Sequence, residues 1–168
     1  NKWVDYKGAK VMYISPKNIG MGMLKKAAKE ASCDVWYING IYSRYYSIYP
    51  LILAKVLKPK KVIVSARGML SPHALDEKSG AKNMYLTLAK GLKLYKNVTF
   101  HTTNEEEGRY AQQVISENNP VEVAENLPRK MNVQTCGCPK MQGELRLVSF
   151  ARVSPEKNTL FAIRALKD

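Results

Sequence analysis

A guanidinium and an ammonium group stand close together near the end of the chain, at Arg152 and Lys157. They border the loop between an apolar run, LRLVSFA at 145–151, and a segment of helical periodicity at 156–167. A guanidinium can bind two phosphate oxygens at once, and an ammonium adds a mobile point charge. This pair at a strand-to-helix junction predicts a phosphate site; a solvated basic pair at a helix start is the alternative.

Other polar and glycine residues come at or just after the ends of further apolar runs. Ligands of open α/β sheets bind outside the carboxyl ends of the strands, so residues there predict a cleft over a packed sheet. Polar residues that merely begin loops are the alternative. The residues at these positions are Asn39, Gly40, Arg67, Gly68, Thr103, Asn104, Glu105, Glu125, Asn126 and Arg152.

The elements that would position these residues alternate along the chain. The runs are almost continuously apolar, which is typical of parallel strands covered on both faces. Their alternation with helical segments predicts right-handed βαβ units in an α/β fold, a Rossmann-like open, mostly parallel sheet with helices on both faces. The predicted strands are 11–15, 34–40, 61–68, 98–104, 120–126 and 145–151. The predicted helices are 20–31, 45–57, 82–96, 104–117 and 156–167.

Residues 128–143 break this alternation. They combine proline, glycine and polar residues without periodicity, as interdomain linkers do. We therefore predict a Rossmann-like domain at 1–128, a linker at 129–143, and the first strand and helix of a second domain at 144–168.

The net charge of +13 favours an anionic partner. Nucleic acid, anionic lipid and sugar diphosphates are all candidates, and charge alone does not choose among them. The chain has no apolar run of about 20 residues, the length that spans a bilayer. It also has neither G-x-G-x-x-G nor a Walker lysine loop, which argues against dinucleotide binding and ATP hydrolysis.

The cysteines number three, Cys33, Cys136 and Cys138. An odd count with a C-x-C spacing does not make a disulfide framework, so we expect free thiols of a cytoplasmic protein. The cysteines together with His73 and His101 could supply four zinc ligands, but the spacing of these residues is only weak evidence for such a site, and we predict no metal. The role of Cys136 and Cys138 stays open.

Several motifs resemble one family in their order. Residues 65–92, SARGMLSPHALDEKSGAKNMYLTLAKGL, place a strand end, Arg-Gly, a proline-containing loop and a basic helix in succession. This resembles the acceptor domain of the retaining glycosyltransferases of family four, which have the two-domain GT-B fold. FHTTNEEEGRY at 100–110 is similar to the family's strand ending in a Ser/Thr-x-x-Glu helix start. LVSFARVSPEKNTLFAIRAL at 147–166 is similar to its first donor-domain strand, Gly-Arg loop and helix, with Ala151 where the glycine is usual.

The resemblance implies a transferase that moves a sugar from a nucleotide-diphosphate donor to a glycan or lipid-linked acceptor in polysaccharide biosynthesis. Configuration would be retained, and no cofactor or metal would be required. The resemblance places Arg152 and Lys157 at the donor diphosphate. It makes His73 and Arg67 the catalytic candidates, with a structural hydrogen bond as the alternative for His73. The acceptor cleft would hold Asn39, Gly40, Gly68 and Glu105.

The family also implies that parts are missing. Its members open with a further strand and a glycine-rich loop, and their donor domain continues well past the equivalent of residue 168. We therefore expect a piece of a cytoplasmic enzyme, inactive alone, that works at the inner face of the membrane. A domain without its first strand would expose a sheet edge, which favours self-association.

Segment 82–96 is amphipathic and basic. Its apolar side is expected to cover the sheet, while its lysines could turn the protein towards an anionic membrane. The apolar side is predicted to consist of Met84, Tyr85, Leu88, Leu92 and Tyr95.

Two other classes of function stay open. A basic nucleic-acid-binding module would explain the charge, although the sequence has no helix-turn-helix, zinc-finger or RNA-binding aromatic motif, so we expect no nucleic acid. A non-catalytic α/β module is the other. Salt titration of nucleic-acid binding separates the first from an enzyme, because binding to phosphates weakens steeply with salt.

Overall fold

The computed structural model describes residues 2–76, 79–127, 141–144, 146–150 and 158–166. The chain divides into two compact units, Asn1–Pro128 and Arg129–Asp168. The first unit is mixed α/β and holds a four-stranded parallel sheet flanked by helices. No helix within these ranges is long and apolar enough to cross a bilayer.

The described elements follow one another in a simple order. The strands are β1 (Trp3–Tyr6), β2 (Ala9–Met12), β3 (Val35–Asn39), β4 (Lys61–Ser65), β5 (Val98–Thr102) and β6 (Val121–Val123). The α-helices are α1 (Met21–Ala31), α2 (Tyr49–Leu57), α3 (Pro72–Asp76), α4 (Ser79–Gly91), α5 (Glu105–Val114) and α6 (Thr159–Ala165), and a π-helical turn, Arg44–Ile48, precedes α2.

Strands β3 to β6 lie side by side in chain order, all parallel. In their register Val64 lies opposite both Ile38 and Phe100. These three side chains are almost fully buried and share one apolar core with Leu51 of α2 and Ala89 of α4. The prediction of an α/β fold with parallel strands and intervening helices is confirmed for this unit.

The crossover helices cover a single face of the sheet. Right-handed crossovers that always advance in the same direction place their helices on one side, and α2, α4 and α5 all contribute to the same core. Side chains on the other face of the sheet are open to solvent. Of these, Val35 is 51% exposed and Tyr37 is 47% exposed. Helices were predicted on both faces of the sheet, whereas the described crossover helices cover one face.

The first predicted strand does not join this sheet. β2 pairs antiparallel with β1 in a separate two-stranded sheet, so placing 11–15 in the parallel sheet was wrong. Lys7 and Gly8 connect the two strands with φ of 50° and 83°. A two-residue turn with both φ angles positive matches the twist of a hairpin, and this local signal decides the pairing.

The strand expected at 145–151 is also absent where it can be checked. Residues 146–150 form no strand, and Phe150 is fully exposed. A strand needs a hydrogen-bonding neighbour, and none of the described strands pairs with this segment. Helix α6 falls within the predicted segment 156–167.

Helix α5 packs directly on β6 through a glycine. A Cβ atom built on Gly108 would lie 2.9 Å from Val121 Cγ1 and 3.4 Å from Thr102 Oγ1. Because real Cβ atoms essentially never approach so closely, the bare glycine sets the spacing between helix and sheet.

We expect Gly108→Ala to lower the free energy of unfolding by about 1–3 kcal/mol, because overpacking outweighs the gain in helix propensity. Gly22→Ala in α1 is the matched control, since a Cβ there meets nothing within 4 Å. Urea unfolding of both variants measures the effect. Equal stabilisation by the two substitutions would contradict the close contact.

Candidate functional site

The candidate site lies at the carboxyl edge of the parallel sheet. Asn39 ends β3, Arg67 follows β4, Thr103 follows β5 and Asn126 follows β6. Parallel strands bring their carboxyl ends to the same edge, so polar side chains from separate parts of the chain meet there.

Arg67 is the centre of this group. Its Nη1 donates to Asn126 Oδ1 at 2.8 Å, and its Nη2 and Nε donate to Asn39 Oδ1 at 3.2 and 3.4 Å. The backbone of Arg67 has a φ of 52°, a conformation that costs a non-glycine residue about 1 kcal/mol or more. The amide contacts hold the guanidinium across the sheet edge while leaving it exposed.

Gly68 is held by a carboxylate that the sequence-based site did not include. Glu107 Oε1 accepts from the Gly68 N–H at 2.5 Å, and Glu107 Oε2 accepts from the Thr103 N–H at 2.7 Å and the Thr103 hydroxyl at 2.9 Å. Asn104 caps α5 by accepting from the Glu107 N–H at 2.8 Å. An Asn followed three residues later by a Glu is the pattern of a capping box, in which the carboxylate accepts from the Asn N–H. Here the Glu107 carboxylate accepts instead from Thr103 and from Gly68 in a distant loop.

The charged form of Glu107 is favoured although the side chain is 7% exposed. Burial by itself raises the pKa of this carboxyl, but the hydrogen bonds from Thr103 and Gly68, with the nearby His101, lower its pKa below the ordinary value. The carboxylate therefore acts as a fixed anionic anchor under the Arg67–Gly68 turn.

Gly40 serves packing. It has a φ of 84°, and a Cβ there would lie 3.2 Å from Met69 Cε. The Gly40 N–H donates to the Ser65 carbonyl at 2.8 Å, and the next amide, at Ile41, faces Met69 Sδ at 3.4 Å. Gly40 thus lets the loops after β3 and β4 approach each other.

A cavity of 350 Å³ opens beside Arg67, and we call it the Arg67 cleft. Its lining residues are Tyr42, Ser43, Arg67, Gly68, Met69, Ala74 and Lys82. Lys82 Nζ lies 5.7 Å from the centre of the Tyr42 ring and donates to the Ala74 carbonyl. Two cations, a hydroxyl and an aromatic ring thus face one concave space, which suits a ligand with hydroxyl and anionic groups.

A tyrosine cluster supports the floor of the cleft. The rings of Tyr42 and Tyr85 meet edge to face at 5.8 Å, and the hydroxyls of Tyr85 and Tyr95 are 2.8 Å apart. Burial raises the pKa of Tyr42, Tyr85 and Tyr95. The three phenols therefore stay neutral. Tyr85 and Tyr95 hydrogen-bond to each other, whereas the Tyr42 hydroxyl is buried without a hydrogen-bond partner among the described residues, so Tyr42 acts through packing.

His101 lies on the open face of the sheet. Its Nε2 is 3.0 Å from the Ala124 carbonyl, which can only accept, so Nε2 carries the proton. Nδ1 lies 2.5 Å from the Tyr37 hydroxyl and 3.3 Å from Ser65 Oγ. His101 is thus a half-buried, hydrogen-bonded residue of β5 that lies outside the apolar core.

The structure brings together only part of the predicted site. Asn39, Gly40, Arg67 and Gly68 meet at the sheet edge, whereas His73 is exposed in α3 and does not line the Arg67 cleft. Glu105 is an exposed residue at the start of α5, and Glu107, two positions later, makes the contact with Gly68.

The donor-phosphate candidates Arg152 and Lys157 lie outside the described residues, as do Cys136 and Cys138. Cys33 is a free, exposed thiol. Across the described ranges, no three His, Cys, Asp or Glu side chains come together in a way that could hold a metal ion.

We expect Glu107→Gln to lower the free energy of unfolding by about 1–3 kcal/mol at neutral pH, because it removes a charged acceptor. The folded-state pKa of Glu107 is depressed, so its stabilisation is complete above the unfolded-state value of about 4.3 and is lost as the pH falls through the folded value. Urea unfolding across this acidic range should show the wild-type advantage shrinking. Glu105→Gln, an exposed neighbour, is the control; a difference that stays constant with pH would refute the anchor.

Comparison of the chain with protein-family models, with curated proteins and with solved structures finds no match.

Proposed function

We propose that this chain belongs to a nucleotide-sugar-dependent glycosyltransferase of the retaining GT-B type, and that residues 1–128 form its acceptor-side domain. The observation that carries the proposal is the Arg67 cleft, a concave basic site at the carboxyl edge of a parallel sheet. The motif order of the sequence supports the same assignment. The whole enzyme would work in the cytoplasm on polysaccharide assembly.

The acceptor would bind in the Arg67 cleft. Sugar hydroxyls both donate and accept hydrogen bonds, and the cleft offers the Ser43 hydroxyl and the guanidinium of Arg67. The ring of Tyr42 supplies an apolar surface of the kind that sugars stack on. Arg67 and Lys82 would favour an acceptor that carries a phosphate or a carboxylate. A lipid-linked glycan phosphate has this chemistry.

The donor would be bound by Arg152 and Lys157, which belong to the second unit. During transfer the bond between the sugar and the diphosphate breaks, and negative charge grows on the departing nucleoside diphosphate. A guanidinium and an ammonium placed there stabilise that charge. In this proposal the basic pair takes the part that a divalent ion plays in other transferases.

Arg152→Ala in the full-length protein should lower kcat by about 100-fold or more, the usual effect of removing a group that stabilises a developing anion. The measurement is release of nucleoside diphosphate from a panel of nucleotide sugars in the presence of oligosaccharide acceptors. Arg164→Ala in α6 is the matched control and should leave the rate unchanged. Equal rates for wild type and Arg152→Ala would remove the assignment of Arg152.

Arg67→Ala should raise KM for the acceptor about tenfold while leaving KM for the nucleotide sugar unchanged, because one charge-assisted hydrogen bond is worth about 1.5–3 kcal/mol. Arg44→Ala is the control, since Arg44 instead donates to the Tyr49 hydroxyl at 2.7 Å. A rise in the donor KM alone would move Arg67 to the donor side.

The rival class is tested in the same preparation. Tight oligonucleotide binding that weakens steeply with salt, with no sugar transfer to any acceptor, would favour a nucleic-acid-binding module over the enzyme.

A further inference from the structure

Helix α4 has two apolar sides, and only one of them is buried. Leu86 and Ala89 point into the core with exposures of 7% and 1%. Met84, Leu88 and Leu92 are 72%, 60% and 53% exposed. We call these three residues the α4 stripe. The sequence-based expectation that they cover the sheet was wrong, because Leu86 and Ala89 cover it instead.

The end of α4 keeps the stripe continuous. The Leu92 N–H donates to the Leu88 carbonyl at 2.9 Å, so Leu92 extends the outer side by one more turn. Lys93 then adopts a φ of 51°, and the chain turns back to bury Leu94 and Tyr95. The exposure of Leu92 therefore follows from the fold and is not fraying of a helix end.

Lysines cluster at the C-terminal end of α4, where the stripe ends. Lys90, Lys93 and Lys96 are exposed, and Lys55 of α2 donates to the Leu92 carbonyl. Over the described residues, none of these four lysines forms an ion pair. The sequence has no acidic residue between Asp34 and Asp76, nor between Glu77 and Glu105. The positive charge around the stripe is therefore not compensated locally.

We propose that the α4 stripe and its flanking lysines form a docking surface for an anionic lipid bilayer. Exposed apolar residues with lysines at one end match the two layers of a membrane interface, where acyl chains accept the apolar groups and lipid phosphates attract the cations. Nucleic acid would pair with the lysines but offers no partner for three outward apolar side chains. The absence of acidic residues suits an anionic surface and disfavours a second copy of the same basic chain.

This surface goes beyond sugar transfer and does not depend on it. It faces outward from α4, whereas Lys82 of the same helix lines the Arg67 cleft. Docking would hold a protein with no bilayer-spanning helix in its described ranges at the lipid surface without insertion of a helix.

Vesicle flotation of the full chain tests the proposal. Binding should be strong with vesicles that contain one third phosphatidylglycerol and weak with pure phosphatidylcholine. Leu88→Ser/Leu92→Ser should lower the partition coefficient about tenfold or more, as expected for the loss of two leucines that the bilayer would partly bury. Lys90→Gln/Lys93→Gln should lower it roughly thirtyfold, at about 1 kcal/mol per lysine.

Matched controls keep the test specific. Leu160→Ser in α6 changes a leucine that is 58% exposed, and Lys25→Gln/Lys29→Gln removes two exposed lysines from α1. Both should leave binding unchanged, and circular dichroism checks that every variant is folded. In addition, a tryptophan at position 88, introduced as Leu88→Trp, should shift its emission to the blue on anionic vesicles.

Three outcomes would overturn the proposal. These are binding that ignores the stripe and follows total charge alone, oligonucleotide binding that depends on the same lysines while vesicles do not bind, and a dimer in light scattering that Leu88→Ser/Leu92→Ser dissolves.

Discussion

The carboxylate of Glu107 ties together the loops that follow two neighbouring strands. It accepts hydrogen bonds from Gly68 after β4 and from Thr103 after β5. The backbone N–H of Glu107 donates to Asn104 and so completes the cap of α5. Burial works against its charge, so the three donors are what keep it ionised. The Arg67–Gly68 turn, with two consecutive positive φ angles, depends on this anchor. Glu107 thus fixes the backbone of the turn, and from this turn the Arg67 guanidinium reaches Asn39 and Asn126.

Helix α4 joins the two basic surfaces of the first unit. Lys82, near its start, faces the Arg67 cleft, and Leu88, two turns later, faces away from the core. Under both proposals, one rigid helix would couple the lipid surface to the acceptor site. The distance from the bilayer to the cleft would then be short for a lipid-linked acceptor, because the helix that contacts the membrane also lines the acceptor site.

The sequence allowed the parallel sheet to be predicted because β3, β4 and β5 are short, apolar and separated by helical segments. It also allowed Asn39, Arg67 and Gly68 to be placed at one edge, since strand ends meet there by geometry alone. It did not allow the partner of Glu107 to be predicted, because that contact joins residues distant in the chain. The outward side of α4 was missed for a related reason. A helix with apolar residues all round does not reveal which side its sheet takes.

The consecutive order of β3 to β6 has a consequence for how the chain acquires its structure. Each strand after β3 pairs with the strand made just before it, and the paired residues lie 21 to 36 positions apart in the chain. Such a sheet can grow by adding each new strand at its edge as the polypeptide leaves the ribosome. No later strand has to insert between two earlier ones. The architecture is thereby suited to vectorial, co-translational assembly from β3 towards β6.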